Sequence, residues 1–326
     1  MHELISCAVP TPPPRLIPMR LNLHLTRIFF AVATRGSFSR GAELLHISQS
    51  AASKAVRELE EQLGLALVER GGARGKGGRG LRLTEAGRAL YEHARGIFAL
   101  ERAALDDLGA RTGLQKGSLV VGASTTVAGY WLPGYLALFA EQFPEVELRV
   151  VVGNTATIGQ GLLDCLVDVA VVEGGVNDPG ISALRWREES LLLVAPPGSG
   201  LTGHNEVDAR TLSRARWLVR EAGSGTREVT ERLMREEGVQ LGDTVEVGSN
   251  EGIARAVAQG LGVAMLPEVV VQDLLTLGRV ATIHTERAER YRRPLFLLKR
   301  AQRPLSPAAH AFSTMLREHE PPAHPS

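Results

Sequence analysis

The chain has 326 residues, 44% of them hydrophobic and 22% charged, enough for buried cores in two or three domains of roughly 100–200 residues each. No apolar run approaches the ~18 residues needed to span a bilayer, and the N-terminus lacks the apolar segment of a secretory signal, so membrane and exported classes are set aside and a cytoplasmic protein is expected. The net charge of +1 hides a basic front: between Arg15 and Arg95 fourteen Lys/Arg face seven Asp/Glu, while from Glu101 onward twenty-three face twenty-eight, which points to a polyanion-binding module joined to something else.

Residues 1–20 carry Pro10, Pro12, Pro13, Pro14 and Pro18 and read as a disordered extension. A first helix is predicted from the spacing of Leu25, Phe29, Val32 and Ala33, with Gly36 as its stop. A second, short helix starts near Ser37 or Ser39 and turns Ala42 and Leu45 inward. After the turn at His46–Ser48, Ser48 caps a third helix, "QSAASKAVRELEEQL". Its apolar stripe is Ala52, Val56, Leu59 and Leu63, and its opposite face carries Gln49, Ser50, Ser53, Lys54 and Arg57. Two helices joined by a tight turn, the second polar at its start, form the geometry that enters a major groove. Gln, Lys and Arg can pair with base edges there, while serines such as Ser37 and Ser39 hold phosphates.

A polar helix face taken alone is more often simply solvated. The segment that follows shifts the balance. "LALVERGGARGKGGRGLRLTEAG" reads as a strand, a glycine-rich basic loop and a returning strand, with Arg74, Lys76, Arg79 and Arg82 on or beside a wing that can follow a phosphate backbone. No Ser or Thr follows Lys76, which argues against a nucleotide-binding loop. The module over 21–83 is therefore read as a winged helix-turn-helix. Over about seventy residues, "SFSRGAELLHISQSAASKAVRELEEQLGLALVER…LRLTEAGRAL" resembles the N-terminal signature of the LysR-type transcriptional regulators. The resemblance begins at "MRLNL", which makes Met19 the expected initiator, and the wing is longer and richer in glycine than is usual in that family.

Thr84 caps a long helix that forms a linker over 84–114, with Ala86, Leu90, Ala94, Ile97, Phe98, Glu101, Ala104 and Leu108 on one face, apolar apart from Glu101. Such a face has little of its own module to pack on, so it is read as a dimer seam. The family resemblance implies a homotetramer built from homodimers on double-stranded promoter DNA, with RNA polymerase as a further partner.

From Gly117 short apolar runs alternate with helical stretches, an α/β pattern with largely parallel sheets. Two lobes are expected within 117–318: lobe I from 117–195 and 293–318, lobe II from 196–292. The chain would cross between them at Ala195–Pro196 and near Arg292, as in periplasmic-binding-protein-like clamps. Residues 319–326 read as a disordered tail. Three strand-to-helix junctions, "GASTTVAGYWLP", "REAGSGTRE" and "VGSNEGIARAV", offer hydroxyls, an amide and helix N-termini to a small anion. The expected effector-binding residues are Ser124, Thr125, Thr126 and Thr155 on one side and Arg220, Ser224, Gly225, Thr226 and Asn250 on the other. Arg220 serves as the charge partner, while Glu221 and Glu251 orient arginines or helix ends.

The resemblance to LysR-type regulators extends over nearly the whole chain. "GNTATIGQGLLDCLVDVAVVEG" and "WREESLLLVAPPGSGL" are most similar to the branch controlling sulfur-assimilation and carbon-fixation genes, which implies oxoanions or phosphorylated and carboxylated metabolites as effectors. "GASTT" lacks the second glycine of a nucleophile elbow, and the nine histidines show no metal-binding spacing, so no catalytic residue, metal or cofactor is expected. Cys7 and Cys165 form no disulfide framework, and Cys165 reads as a small buried residue on a helix. The alternative is an anion-binding protein of solute-binding type; the basic front weighs against it.

Overall fold

A computed structural model describes residues 20–69, 81–111, 117–203 and 206–319. These form two compact units, Met1–Phe98 and Ala99–Ser326. Among the described residues no helix is long and apolar enough to cross a membrane.

In the first unit, α1 (Leu23–Arg35), α2 (Phe38–Leu44) and α3 (Gln49–Leu63) are followed by the start of α4 (Glu85–Arg111). The chemistry of each end is local. Asn22 Oδ1 accepts from the amides of His24 and Leu25, and left-handed Gly36 and Gly64 close α1 and α3. Ser48 Oγ accepts from the Ala51 amide, the cap expected from sequence. Phe29, Val32, Ala52, Val56, Leu59 and Leu67 form the core, and full burial of each large apolar side chain is worth about 1.5–3 kcal/mol. Beyond α3 the arms of the wing pair antiparallel at Val68 and Leu83, with the Glu69 amide donating to Arg82 O at 3.0 Å. The wing's tip, with Arg74, Lys76 and Arg79, lies outside the described residues, as do residues 1–19 with Met19.

The second unit is built on a seven-stranded sheet. β1 (Gly117–Ser124), β2 (Val146–Gly153) and β3 (Val169–Glu173) are parallel, in the order β2-β1-β3. β9 (Arg292–Arg300) runs antiparallel to β3 and to β4 (Ile181–Ala195), and β4 pairs further along with β7 (Ala264–Pro267) and β8 (Ala281–Thr282). α5 (Leu132–Gln142) and α11 (Pro307–Glu318) cover one face of the β1–β3–β9 region, and α6 (Thr155–Leu163) the other. In lobe II, β5 (Arg216–Val219) and β6 (Asp243–Glu246) pair parallel, flanked by α7 (Ala209–Arg214), α8 (Gly225–Glu236), α9 (Asn250–Ala258) and α10 (Glu268–Thr276).

Four features differ from the sequence reading. The seven-stranded sheet is mixed rather than largely parallel, because β9 runs antiparallel to β3 and β4, and β4 runs antiparallel to β7 and β8. The first crossing also lies earlier than Ala195–Pro196. β4 pairs with β9 through Ser190↔Arg292 and with β7 from Leu191↔Pro267, so the passage is at Ser190–Leu191. Leu191, Leu193 and Ala195 pack with Trp217, Val219 and Met265 of lobe II, because an apolar run needs core on its inward face. The strand's first half, "ISALRWREES", is polar and half exposed, which is why it does not read as a strand. Cys165 is buried but lies in the turn after α6, with φ of +56°, rather than on a helix.

Candidate functional site

On the first unit, the start of α3 presents Gln49, Ser50, Lys54 and Arg57 exposed and Ser53 half-buried. The helix's 3.6-residue period puts Ala52, Val56 and Leu59 in the core and leaves these polar groups outside. Ser50 Oγ lies 2.9 Å from the capping Ser48 Oγ. Ser37 is the half-buried N-cap residue of α2 with no side-chain cap bond, and Ser39 is exposed on that helix. Arg82, at the wing's base, is exposed and 3.5 Å from Glu69.

In the second unit all three junctions converge at the seam between lobes. Ser124 ends β1, and the chain then enters a helical turn that is π-helical over Val127–Trp131, a distortion frequent at functional sites. Ser224 and Ser249 are the N-cap residues of α8 and α9. The expected residues meet here, but mostly engage one another. Asn250 Nδ2 donates to Thr126 Oγ1 at 2.8 Å and to Thr226 Oγ1 at 3.2 Å. Thr125 Oγ1 accepts from Arg220 Nη1 at 3.2 Å. Thr155 Oγ1 donates to Glu173 O at 2.7 Å, so its hydroxyl serves the fold. Asn154 caps α6, and its Nδ2 also reaches across to Glu221 Oε1 at 3.3 Å.

Backbone closes the same seam. The Ala156 amide donates to Gly223 O at 3.1 Å. Gly223 has φ of +82°, and a Cβ there would sit 2.9 Å from Ala156 Cβ. At Gly225 a Cβ would fall 2.1 Å from Glu173 O, so lobe II approaches lobe I as closely as a glycine permits.

Arg220 is 2% exposed and makes a two-pronged pair with Glu221, Nε to Oε2 at 2.8 Å and Nη2 to Oε1 at 2.9 Å. Burial would raise the Glu221 pKa, but the hydrogen bonds from Arg220 and its own amide, the Arg220 charge and Asn154 together hold the carboxyl below the usual range. Arg227, the second arginine of the junction, is engaged by Glu231 at 2.8 Å and Glu246 at 2.9 Å. Burial pushes the Tyr130 phenol up, aided by the charges of Glu251 and Asp273.

Three residues absent from the sequence-based set complete the seam. Arg293 is fully buried. Its Nε donates to Glu189 Oε2 at 2.7 Å and its Nη1 to Thr226 Oγ1 at 2.7 Å, with Glu173 Oε1 3.6 Å away. Glu189 and Arg293 are direct register partners on the crossing strands β4 and β9, and Trp131 Nε1 donates to Glu189 Oε1 at 2.7 Å. For Glu173 and Arg293 the sequence carries one signal, a charge ending or opening an apolar run, "VVEG" and "RRPLFLL". The hydroxyls of Ser124 and Ser224, both 1% exposed, and the side-chain oxygen Oδ1 of Asn250 have no hydrogen-bond partner among the described residues. Among the described residues no group of His, Cys, Asp and Glu could hold a metal ion.

The family models that match are the bacterial regulatory helix-turn-helix protein of the lysR family over residues 23–88 and the LysR substrate binding domain over residues 112–321. The RuBisCO operon transcriptional regulator of Allochromatium vinosum is 33% identical over 294 residues, covering 90% of this chain and 95% of its own. Among solved structures, a full-length single-residue variant of OxyR from Pseudomonas aeruginosa is similar with a TM-score of 0.71 at 21% identity, covering 94% of this chain and 99% of its own. The Synechocystis PCC6803 CcmR regulatory domain, solved in complex with 2-PG, has a TM-score of 0.56 at 23% identity and covers 62% of this chain and 96% of its own.

Proposed function

This chain belongs to the LysR family of bacterial helix-turn-helix transcriptional regulators, and we propose that it senses a small anionic metabolite in the seam between its two lobes. The observation that carries this reading is the pair of buried serines, Ser124 at the end of β1 and Ser224 at the start of α8, whose hydroxyls are unpartnered among the described residues on opposite sides of the seam. Buried polar groups without partners are rare and call for an occupant. Arg220 and the N-termini of α8 and α9 supply positive potential there. A carboxylate or oxoanion, free or on a phosphorylated metabolite, would take Arg220 from Glu221. Glu221 then loses the partner that orients it toward Asn154, and the clasp between lobes changes.

The output is DNA. Lys54, Arg57 and Gln49 are the proposed base or phosphate contacts, with Ser50, Ser53, Ser37, Ser39 and Arg82 as backbone contacts. α4 is the proposed dimer element, but only in its second half. Of the face expected to form the seam, Ala86 and Leu90 pack on the first unit's own core and Ala94 and Phe98 are buried. Leu100, Leu105 and Leu108, by contrast, are 52–63% exposed in the single chain, a face that a second copy would cover. The dimer, and a tetramer built from it, would bind promoter DNA in the cytoplasm and change its spacing or bend when ligand binds. Ligand moves that equilibrium only by its difference in affinity between the two states.

A thermal-shift screen of sulfite, sulfate, phosphate and short organic acids identifies the ligand, since one that binds only the folded state raises the melting point. Mobility shift on duplex promoter fragments then reads the response. Arg220→Ala is expected to abolish the effector's influence while operator binding persists; a variant that loses DNA binding yet binds ligand normally contradicts the assignment.

A further inference from the structure

A cavity lies on lobe I between the β4–β9 pair and α11, with none of the seam residues in its lining. It encloses about 250 Å³ and is lined by Val169, Leu184, Leu297 and Leu305 and by Lys299, His310 and Arg317. Its origin follows from the sheet's register. Leu184↔Leu297 and Ser182↔Lys299 are direct cross-strand partners on β4 and β9, so all four side chains fall on one face. That is the face on which Val169 and Leu297 join the core beneath α5 and α11. α11 lies over β1 and α5, and the cover gives out toward β4. Leu184 is 49% exposed in consequence. His310, Ser313 and Arg317, at i, i+3 and i+7 of α11, form the opposite wall.

The polar groups at the rim are unbalanced. The Lys299 side chain is exposed and makes no hydrogen bond or ion pair among the described residues. Arg317 reaches only neutral groups, Ser313 O at 3.3 Å and Thr314 Oγ1 at 3.4 Å. His310 adds an imidazole, and no carboxylate among the described residues lines the space. An apolar floor with two unpaired cations at its edge is complementary to one chemistry: an acid group carried on an apolar body. The volume falls just short of the ~300–1,000 Å³ of drug-sized ligand sites, which limits the body to a short acyl or aryl group.

We propose that this cavity is a second ligand site, for a small amphiphilic organic acid, whose carboxylate pairs with Lys299 and Arg317 while its apolar part covers Leu184 and Leu297. Its position on β4 and β9, the two strands that cross between the lobes, allows such an acid to act on the same hinge as the interlobe ligand.

Octanoate is the probe, titrated calorimetrically into the full chain beside octylamine and inorganic phosphate. Octanoate is expected to bind saturably and the other two not. Lys299→Glu combined with Arg317→Glu should weaken it about tenfold or more, the loss of at least one charge-assisted hydrogen bond. Leu184→Asp, at a half-exposed position, should do the same, with an unchanged urea midpoint showing that the fold is kept. Arg220→Ala should leave octanoate affinity unchanged, and hydrogen exchange should show protection at residues 182–184, 297–299 and 305–317. Octanoate binding that survives both sets of substitutions, that maps to the interlobe seam, or that does not saturate at millimolar concentration overturns the proposal. Equal binding of octylamine overturns its charge assignment.

Discussion

The start of α3 and the seam between the lobes hold similar residues, serines with an arginine and an amide side chain, and use them in opposite ways. On α3 they stand in solvent, and the helix is held by the apolar stripe on its other face. At the seam they are buried, and apart from the hydroxyls of Ser124 and Ser224 and the Asn250 Oδ1 they belong to a network that holds itself: Asn250 Nδ2 reaches two threonines, Thr226 accepts from Arg293 and Asn250, and Arg293 bridges toward two glutamates. A polar surface that awaits a partner can be altered without cost to the fold. A polar interior that has already found its partners cannot, because in low dielectric each lost partner leaves a group unsolvated.

The largest effect is expected where that argument is strongest. Arg293→Ala removes the positive group between Glu173 and Glu189, which are 1% and 3% exposed, and should destabilise the second unit by about 3–5 kcal/mol, as for other broken buried pairs. Urea denaturation measures it. A loss within about 0.5 kcal/mol, typical of surface substitutions, would mean that the buried charges do not depend on Arg293 for their stability. Gly225→Ala comes next. Its Cβ would meet Glu173 O at 2.1 Å, so the lobes must part, with an expected cost of about 1–3 kcal/mol as in other overpacked sites. Altered effector response with unchanged operator affinity in a mobility shift would place that cost at the seam alone.

The sequence shows the first region far better than the second, and for the same physical reason. α1 to α4 are set by apolar periodicity and by caps within four residues: Asn22, Ser48, Thr84, Gly36, Gly64. The outward face of α3 is whatever that period leaves over. At the seam, Ser124, Thr126, Ser224 and Asn250 are legible because they flank strand ends and helix starts. Glu189 and Arg293 are not, since they are 104 residues apart and become partners only when β4 and β9 pair. β4's polar half hides for a related reason: its Arg187 lies over Trp186 and Trp131, a cation–aromatic stack that hydropathy does not reveal.

Glu221 lies between the extremes, 27% exposed beside a buried Arg220. Its folded-state pKa is lowered, so its stabilising effect is complete above the ordinary glutamate value of about 4.3 and is lost as pH falls through the lower folded value. Glu221→Gln, which keeps an acceptor for Arg220, should therefore be less stable than the parent at neutral pH. The gap should close as the medium is acidified below the normal carboxylate range. A gap independent of pH would show that the charge on Glu221 is immaterial to the clasp.

The smallest effect on stability is expected on α3. Lys54 is exposed and has no ion pair among the described residues, so Lys54→Ala should change folding stability by no more than about 0.5 kcal/mol. Its effect should appear only when DNA is present. If Lys54 meets a phosphate, affinity falls equally on all sequences and the slope of log K against log salt drops by about 0.9. If it reads a base edge, about 1–3 kcal/mol of discrimination at one position is lost instead, and the salt slope barely moves. Arg57→Ala divides the same way. The two readouts together decide whether this helix face is the protein's contact with the duplex, because an unaltered footprint and salt slope in both variants leaves it only a solvated face.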